Sequence, residues 1–292
     1  MLSILLMPRP TGGFLTVKPL EYVEEAEYGV FPANPTMQWV GVVQSISQTL
    51  DAGAEEVEAQ REDLYKVIRG SEKHELKVDY LLQDVSLAKY GVNPQGGGAG
   101  SIDRSVSLGQ SILLDGVENF IKYIGGRINS IKLQGKSGSP IKCTLDFILR
   151  EITPPSPSDY VGTGSHASDP NTDPWRFEDG SITWGGVAID ATEINVTVSR
   201  NLKPIYTNQS KPKYLQPTSR RITGDLTVVW TDVAKIQDLT TLTPKTLTWT
   251  LKSGASTLAL NSVYLTKLDL PLTVDDVAYE KYAFTALSAT LT

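Results

Sequence analysis

The chain of 292 residues has one cysteine, Cys143, two histidines, His74 and His166, and three methionines. A single cysteine excludes an internal disulfide and any zinc site built on several thiolates. His74 opens a strand-like stretch and His166 lies in a Pro/Ser/Gly-rich one, so a metal site or a Ser-His-Asp relay would rest on one imidazole each. Long apolar runs are missing too, and nothing approaches the ~18 residues of a membrane-spanning helix. The opening MLSILLMPRPTGG has no basic residue ahead of its apolar core and is stopped by Pro8 and Pro10. It reads as an ordered arm or first strand rather than a signal peptide, and the chain as cytosolic in origin. Positive charge is in deficit: 27 Lys and Arg stand against 33 Asp and Glu, a formal net charge of −6. The molecule as a whole therefore does not grip nucleic acid by counterion release, although nucleic acid could pass along a surface that refuses to bind it.

Motifs that carry chemistry are equally sparse. GGGAGSIDRS lacks the Gly-Lys-Ser/Thr of a phosphate loop and reads as a surface loop. DPNTD, residues 169–173, begins like a calcium loop, but Pro174 stands where glycine is needed and Gly180 where a bidentate glutamate is needed. Cys143 falls on a strand phase that buries an inert thiol. No convergent polar set emerges, so no enzyme, no cofactor and no metal site are expected.

What the sequence does have is alternation of period two. HELKVDYLL sets Leu76, Val78, Tyr80 and Leu82 on one face against Glu75, Lys77 and Asp79. GDLTVVW does the same with Leu226, Val228 and Trp230, and RINSIKLQG, IKCTLDFIL, TLTWTLKSG, VYLTKLDLPL and YEKYAFTALSATLT are further strand candidates. Helix is expected only after Asp84 and Asp232, each placed to cap a short one. The expected fold is all-β with one short helix per domain.

The pattern occurs twice. Trp39, Gly41 and Val42 match Trp184, Gly186 and Val187, 145 residues on. An offset of 148 lays Ile46 on Ile194, Leu76–Leu82 on Gly224–Trp230 and Asp84 on Asp232; INSIKLQ (128–134) resembles LTKLDLP (265–271). The spacing is too long for a solenoid repeat and reads as domain duplication. The division is an N-terminal arm (1–22), a first domain (23–152), a Pro/Ser/Gly/Asp-rich linker (153–174) and a second domain (175–292). The copies differ in charge. The segment 51–71 carries Asp51, Glu55, Glu56, Glu58, Glu62 and Asp63 against three bases, a net of −3. Its counterpart 199–219 carries Arg200, Lys203, Lys211 and Lys213 and no acid, a net of +4. Loops of equivalent position and opposite sign could meet across subunits and set register; the alternative is two solvated loops.

The first copy, with YGVFPANPTMQWVGVVQSIS, an Arg-x-x-Leu-Tyr element and the strand ending LLQD, resembles the tail tube (major tail) proteins of long-tailed bacteriophages and related archaeal viruses. The second, with INVTVSRNLKPIY and RRITGDLTVVW, is similar to that family's later half. The resemblance implies small β-sandwich or barrel domains, each with a flanking helix, whose inner strands join those of neighbouring subunits in one shared barrel. Two tandem domains per chain would reach six-fold geometry with three subunits. It further implies a virion protein assembled in the host cytoplasm. Its partners would be its own copies, a tape measure inside, terminator and tip proteins at the ends, and viral DNA passing without specific binding; no membrane is involved. In that frame the lumen should be polar and net negative, with Asp79, Asp146, Glu193, Asp225 and Asp269 facing it by strand phase. Glu55, Glu56, Glu58, Glu62, Asp63, Arg200, Lys203, Lys211 and Lys213 are the candidates for contacts between stacked rings. Two other readings are a hub or distal tail ring at the tail tip, and a carbohydrate-binding β-sandwich with Trp39, Trp184 and Trp230 as sugar platforms.

Overall fold

A computed structural model describes residues 16–17, 19–57, 66–93, 104–114, 117–230, 234–270 and 279–292. Residues 1–15 of the expected arm, most of the glycine-rich loop, Asp232, Glu58, Glu62 and Asp63 lie outside these. The chain is mostly strand. Its first part holds β1 (Thr16–Val17), β2 (Glu21–Glu24), β3 (Gln38–Trp39), β4 (Val42–Asp51), β5 (Ala54–Val57), β6 (Lys66–Arg69) and β7 (Lys73–Leu81). There follow α1 (Ser86–Val92), β8 (Val106–Leu114), β9 (Val117–Lys136), β10 (Lys142–Leu149) and β11 (Glu151–Ile152). The later part holds β12 (Ser181–Trp184), β13 (Val187–Ala188), β14 (Ala191–Ser199), β15 (Leu202–Ile205), β16 (Tyr214–Pro217) and β17 (Arg221–Val229). It ends with α2 (Ala234–Thr241), β18 (Lys245–Lys252), β19 (Ser256–Asp269) and β20 (Tyr279–Leu291). The strand phases are those of the alternation: on β7, His74, Leu76, Val78 and Tyr80 are buried while Lys73, Glu75 and Lys77 are exposed.

One antiparallel path runs β19-β20-β17-β14-β9-β10-β7-β4. Its last four strands and its first four have the same order, and their ladders slip at the same places. β4 against β7 slips between Val43 and Ser45; β14 against β17 slips between Ala191 and Glu193, and 191 − 43 = 148. β9 against β10 slips between Ile128 and Ser130; β19 against β20 slips between Leu265 and Lys267, and 265 − 128 = 137. β8 against β9 slips between Val106 and Leu108; β18 against β19 slips between Lys245 and Leu247, and 245 − 106 = 139. The hairpins β5–β6 and β15–β16 share a register as well, Ala54 opposite Arg69 and Leu202 opposite Pro217, each 148 apart. A bulge is a specific distortion that re-aims a strand, so three at matching positions specify matching bends. One slip, between Thr250 and Lys252, has no counterpart.

The ladders correct one detail of the sequence comparison. Trp184 lies on β12, opposite Leu247 of β18, which is where Tyr22 of β2 stands opposite Leu108 of β8. Trp39 lies on β3, the partner of β2. The shared Trp-x-Gly-Val is thus a local strand-and-turn pattern on non-equivalent strands, whereas the 148 and 137 offsets are those of the ladders.

The main apolar core extends from Leu20 and Tyr22 through β7, β9 and β10 to β14, β17, β19 and β20. Helix α1 lies over it and buries Leu87, Ala88, Gly91 and Val92. Gly91 lets it approach closely: a Cβ there would stand 2.9 Å from Ile131 and 3.2 Å from Ile128. Asp84 does not cap the helix from the N-cap position, which Val85 occupies without a side-chain bond. Its Oδ1 accepts from Ser86 N at 2.8 Å, a turn one residue earlier that meets the same need. The segment 153–174 has little regular structure but is packed down. Ser156 exchanges two backbone bonds with Phe120, Tyr160 and Val161 form a small core with Met37, and Trp175 N donates to Leu82 O at 2.7 Å.

Candidate assembly surfaces

The eight-strand path has one face on the core; the other carries hydroxyls and charges. By alternation Asp79, Asp146, Glu193, Asp225 and Asp269 all fall on that second face. Asp79 accepts from Ser45 Oγ at 2.7 Å and Thr144 Oγ1 at 2.5 Å, so three adjacent strands are tied across one row. Partial burial raises its pKa, but these bonds and the charges of Lys77 and Lys142 outweigh that and hold it below the usual carboxylate range. Asp146 accepts from Ser130, and Glu193 accepts from Asn195 Nδ2 at 3.0 Å, whose own oxygen takes a bond from Gln134. Asp225 stands opposite Asn195 in the ladder, and Asp269 pairs with Lys267 at 2.8 Å. The face is of mixed charge, with Glu75 and Asp51 in phase with these acids. The same face carries Lys77, Lys132, Lys136, Lys142, Arg221, Lys267 and Lys281. Lys77, Lys142, Arg221 and Lys267 share a strand phase with one of these acids, whereas Lys132, Lys136 and Lys281 are placed on the face by the ladder alone.

The two hairpins of opposite charge also resolve differently from expectation. Glu55 and Glu56 on β5 and Lys203 on β15 are exposed. Arg200 is not: it is 3% exposed, and its guanidinium donates to Asn93 O at the end of α1. Burial inside the chain removes it from any surface between rings. Lys211 pairs with Glu151 at 2.7 Å, and Lys213 lies 5.3 Å from the centre of the Tyr214 ring. The basic hairpin leans on the foot of the acidic one within the same chain. Ser210 Oγ donates to Glu72 Oε1 at 2.7 Å, Tyr206 OH donates to Glu72 O at 2.6 Å, and Glu72 N donates to Ser210 O at 2.8 Å. Burial of Glu72 raises its pKa, but the Ser210 and His74 bonds and the Arg69 charge together lower it. No sequence pattern marked Glu72; its burial follows from the hairpin packing on it.

Where the first four strands meet the last four, β9 pairs with β14 from Ser130 opposite Ser199 to Lys136 opposite Glu193. This junction is latched. The Asn93 side chain accepts from Leu291 N at 2.7 Å and donates to Leu291 O at 3.1 Å. Arg220 donates to Val92 O and to Ala289 O, tying the end of α1 to β20. The two ends of the path are open among the described residues. β4 is laddered on one side only, and Leu265–Asp269 of β19 pairs with β20 but not with β18. Leu50 on β4 is 57% exposed, whereas Val198, its counterpart on β14, is 1% exposed. Beside β4 runs a groove of about 570 Å³ lined by Trp39, Val42, Ile46, Gln110, Ile112 and Tyr123.

Groups that would support catalysis are held apart or occupied. Burial pushes the Cys143 thiol up to about 12, leaving it protonated at neutral pH. His74 contacts Glu72, and His166 lies between Glu21 and Asp159, 3.0 and 3.1 Å away. No cluster of three or more His, Cys, Asp or Glu side chains able to hold a metal occurs among the described residues. Trp184 is buried with Nε1 bonded to Asp238 and presents no platform for a sugar; Trp39, whose Nε1 donates to Gln83 at 2.7 Å, lines the groove beside β4, and Trp230 is 38% exposed. No helix is long and apolar enough to cross a membrane among the described residues.

The profile of a family described as phage tail tube protein matches residues 75–286, more than two thirds of the chain, from within β7 into β20. No curated protein matches the chain.

Proposed function

The chain belongs to the phage tail tube protein family, and on that premise we propose that three copies close into a pseudo-six-fold ring whose stacked repeats form the tube for genome ejection. Each chain contributes two tube units, 23–152 and 175–292, joined by 153–174. The observation that carries this reading is the doubled ladder. Two four-strand sets of one order, bent by bulges at matching places, leave one open strand edge at each end of the path among the described residues. An open edge is a liability unless paired, and a closed ring of identical arcs removes every one. The work of the protein is then structural, not catalytic. The chain is a component of the virion, and assembly takes place in the host cytoplasm with tape measure, terminator and tip proteins as partners.

The face carrying Asp79 and Asp225 lines the bore in this reading. Its mixed charges, set among Ser45, Thr144, Thr197 and Thr223, give DNA no basic stripe to settle on, because each exposed ammonium has carboxylates within the same face. Glu55, Glu56 and Lys203 on the exposed hairpins remain for contacts between rings. Negative-stain electron microscopy of the purified chain tests the proposal: hollow tubes or stacks of rings are expected. A protein that stays monomeric at high concentration in every salt condition contradicts it, and rings that never stack point to the tail tip.

A further inference from the structure

We infer that β4 of one copy pairs antiparallel with the end of β19 of a second copy in the register that sets Asp51 opposite Lys267, Leu50 opposite Leu268 and Thr49 opposite Asp269. The inference rests on the ring reading and supplies which residues meet. The template is the junction inside the chain. There β14, whose residues lie 148 after those of β4, pairs with β9, whose residues lie 137 before those of β19. Carried to the open edges, Ser199 opposite Ser130 becomes Asp51 opposite Lys267. Val198 opposite Ile131 becomes Leu50 opposite Leu268, and Val196 opposite Leu133 becomes Gln48 opposite Leu270.

Nothing in that transfer obliges the resulting pairs to make chemical sense, yet they do. On the core side an exposed leucine meets a half-exposed one. On the other side an acid meets a base where the inner junction has two serines. Neighbouring registers fail. A shift by one residue turns Leu50 to the polar face, and a shift by two sets Asp51 against Asp269, two like charges directly opposite, or in the other direction against core-facing Leu265 across the bulge. The groove beside β4 fits the same partner. At its counterpart in the second half the place of Gln110 is held by Trp249, which packs with Phe177 over Gly135 of β9 so tightly that a Cβ on that glycine would lie 2.5–2.6 Å from both rings. At the open edge Gln110 leaves the space unfilled, and an incoming strand bearing Leu268 and Leu270 covers its mouth.

Cysteine pairs read the register directly. Directly opposite residues are about 4.5–5.5 Å apart between Cα atoms, within disulfide reach, whereas a two-residue slip of roughly 7 Å along the strand leaves them about 8–9 Å apart, beyond it. Asp51 and Lys267 are exposed and lie at opposite ends of the path, and Cys143 is buried, so the substitutions stay clear of the core and the background thiol and give up only the exposed Gly53 N–Asp51 and Lys267–Asp269 contacts. Full-length D51C/K267C, oxidised under assembly conditions, should move most of the chain from monomer to covalent trimer on a denaturing gel. D51C/D269C should stay monomeric. Rings visible by microscopy with no 51–267 link, or with the 51–269 link instead, overturn the register while leaving the ring reading in place. Absence of any ring from the unsubstituted protein overturns both.

Discussion

The two halves of the chain share a backbone plan and differ in what they do with its edges. In the second half β14 is covered by β9, and Ile194, Val196 and Val198 are buried. In the first half β4 has the same bulge and the same hairpin register, but Leu50 lies open and Ile46 faces a groove. The latch differs likewise. Arg200 and Arg220 fasten the inner junction, and the residues 148 earlier are Ala52 and Glu72. A junction inside one chain is held at high effective concentration and never has to find its partner. One between copies must stay soluble until closure. The ladder is what the halves keep in common, and side-chain burial is where they diverge.

Substitutions at paired positions sharpen that difference. The largest effect is expected from Trp249→Ala, which empties the space shared with Phe177 and Gly135 and should cost about 3–5 kcal/mol in chemical denaturation. Gln110→Ala at the equivalent place, beside the open groove, should cost under about 1.5 kcal/mol. Equal losses would mean that the two sandwiches are filled alike. Next come Val198 and Leu50. Val198→Ser should destabilise the isolated chain by roughly 2 kcal/mol or more, because it buries a hydroxyl in an apolar junction. Leu50→Ser should leave the isolated chain within about 0.5 kcal/mol of the parent and abolish ring formation; rings that form normally would remove β4 from the closing edge.

The smallest effect concerns the packed segment between the halves. Burial lowers the His166 pKa, but bonds to the Glu21 and Asp159 carboxylates outweigh it, so the folded value is raised. A raised folded value means stabilisation that is full below the unfolded value, about 6.5, and fades as pH rises through the folded one. Melting temperature should therefore decline gently from pH 6 upward, and H166Q should flatten that stretch of the profile. An unchanged profile would show that His166 does not hold the segment.

Much of this arrangement is legible in the residues alone. Alternation on HELKVDYLL and GDLTVVW fixes which face each acid takes, because a strand sends successive side chains to opposite sides. The 148 offset is readable because the second half retains the phase of its apolar positions. Charge on the shared face is not readable: Lys132 and Lys142 join Asp79 only through the β9–β10–β7 ladder. Arg200 looks like one more base on a basic loop until α1 is seen to end against it. Trp39 and Trp184 mislead for the same reason, since a four-residue likeness carries no pairing information.

The central claim is three-fold closure of a two-unit chain. Native mass measurement of the smallest ring released from assembled tubes tests it most directly. Three copies, about 95 kDa for a chain of 31.8 kDa, are expected; a ring of six copies would contradict the account.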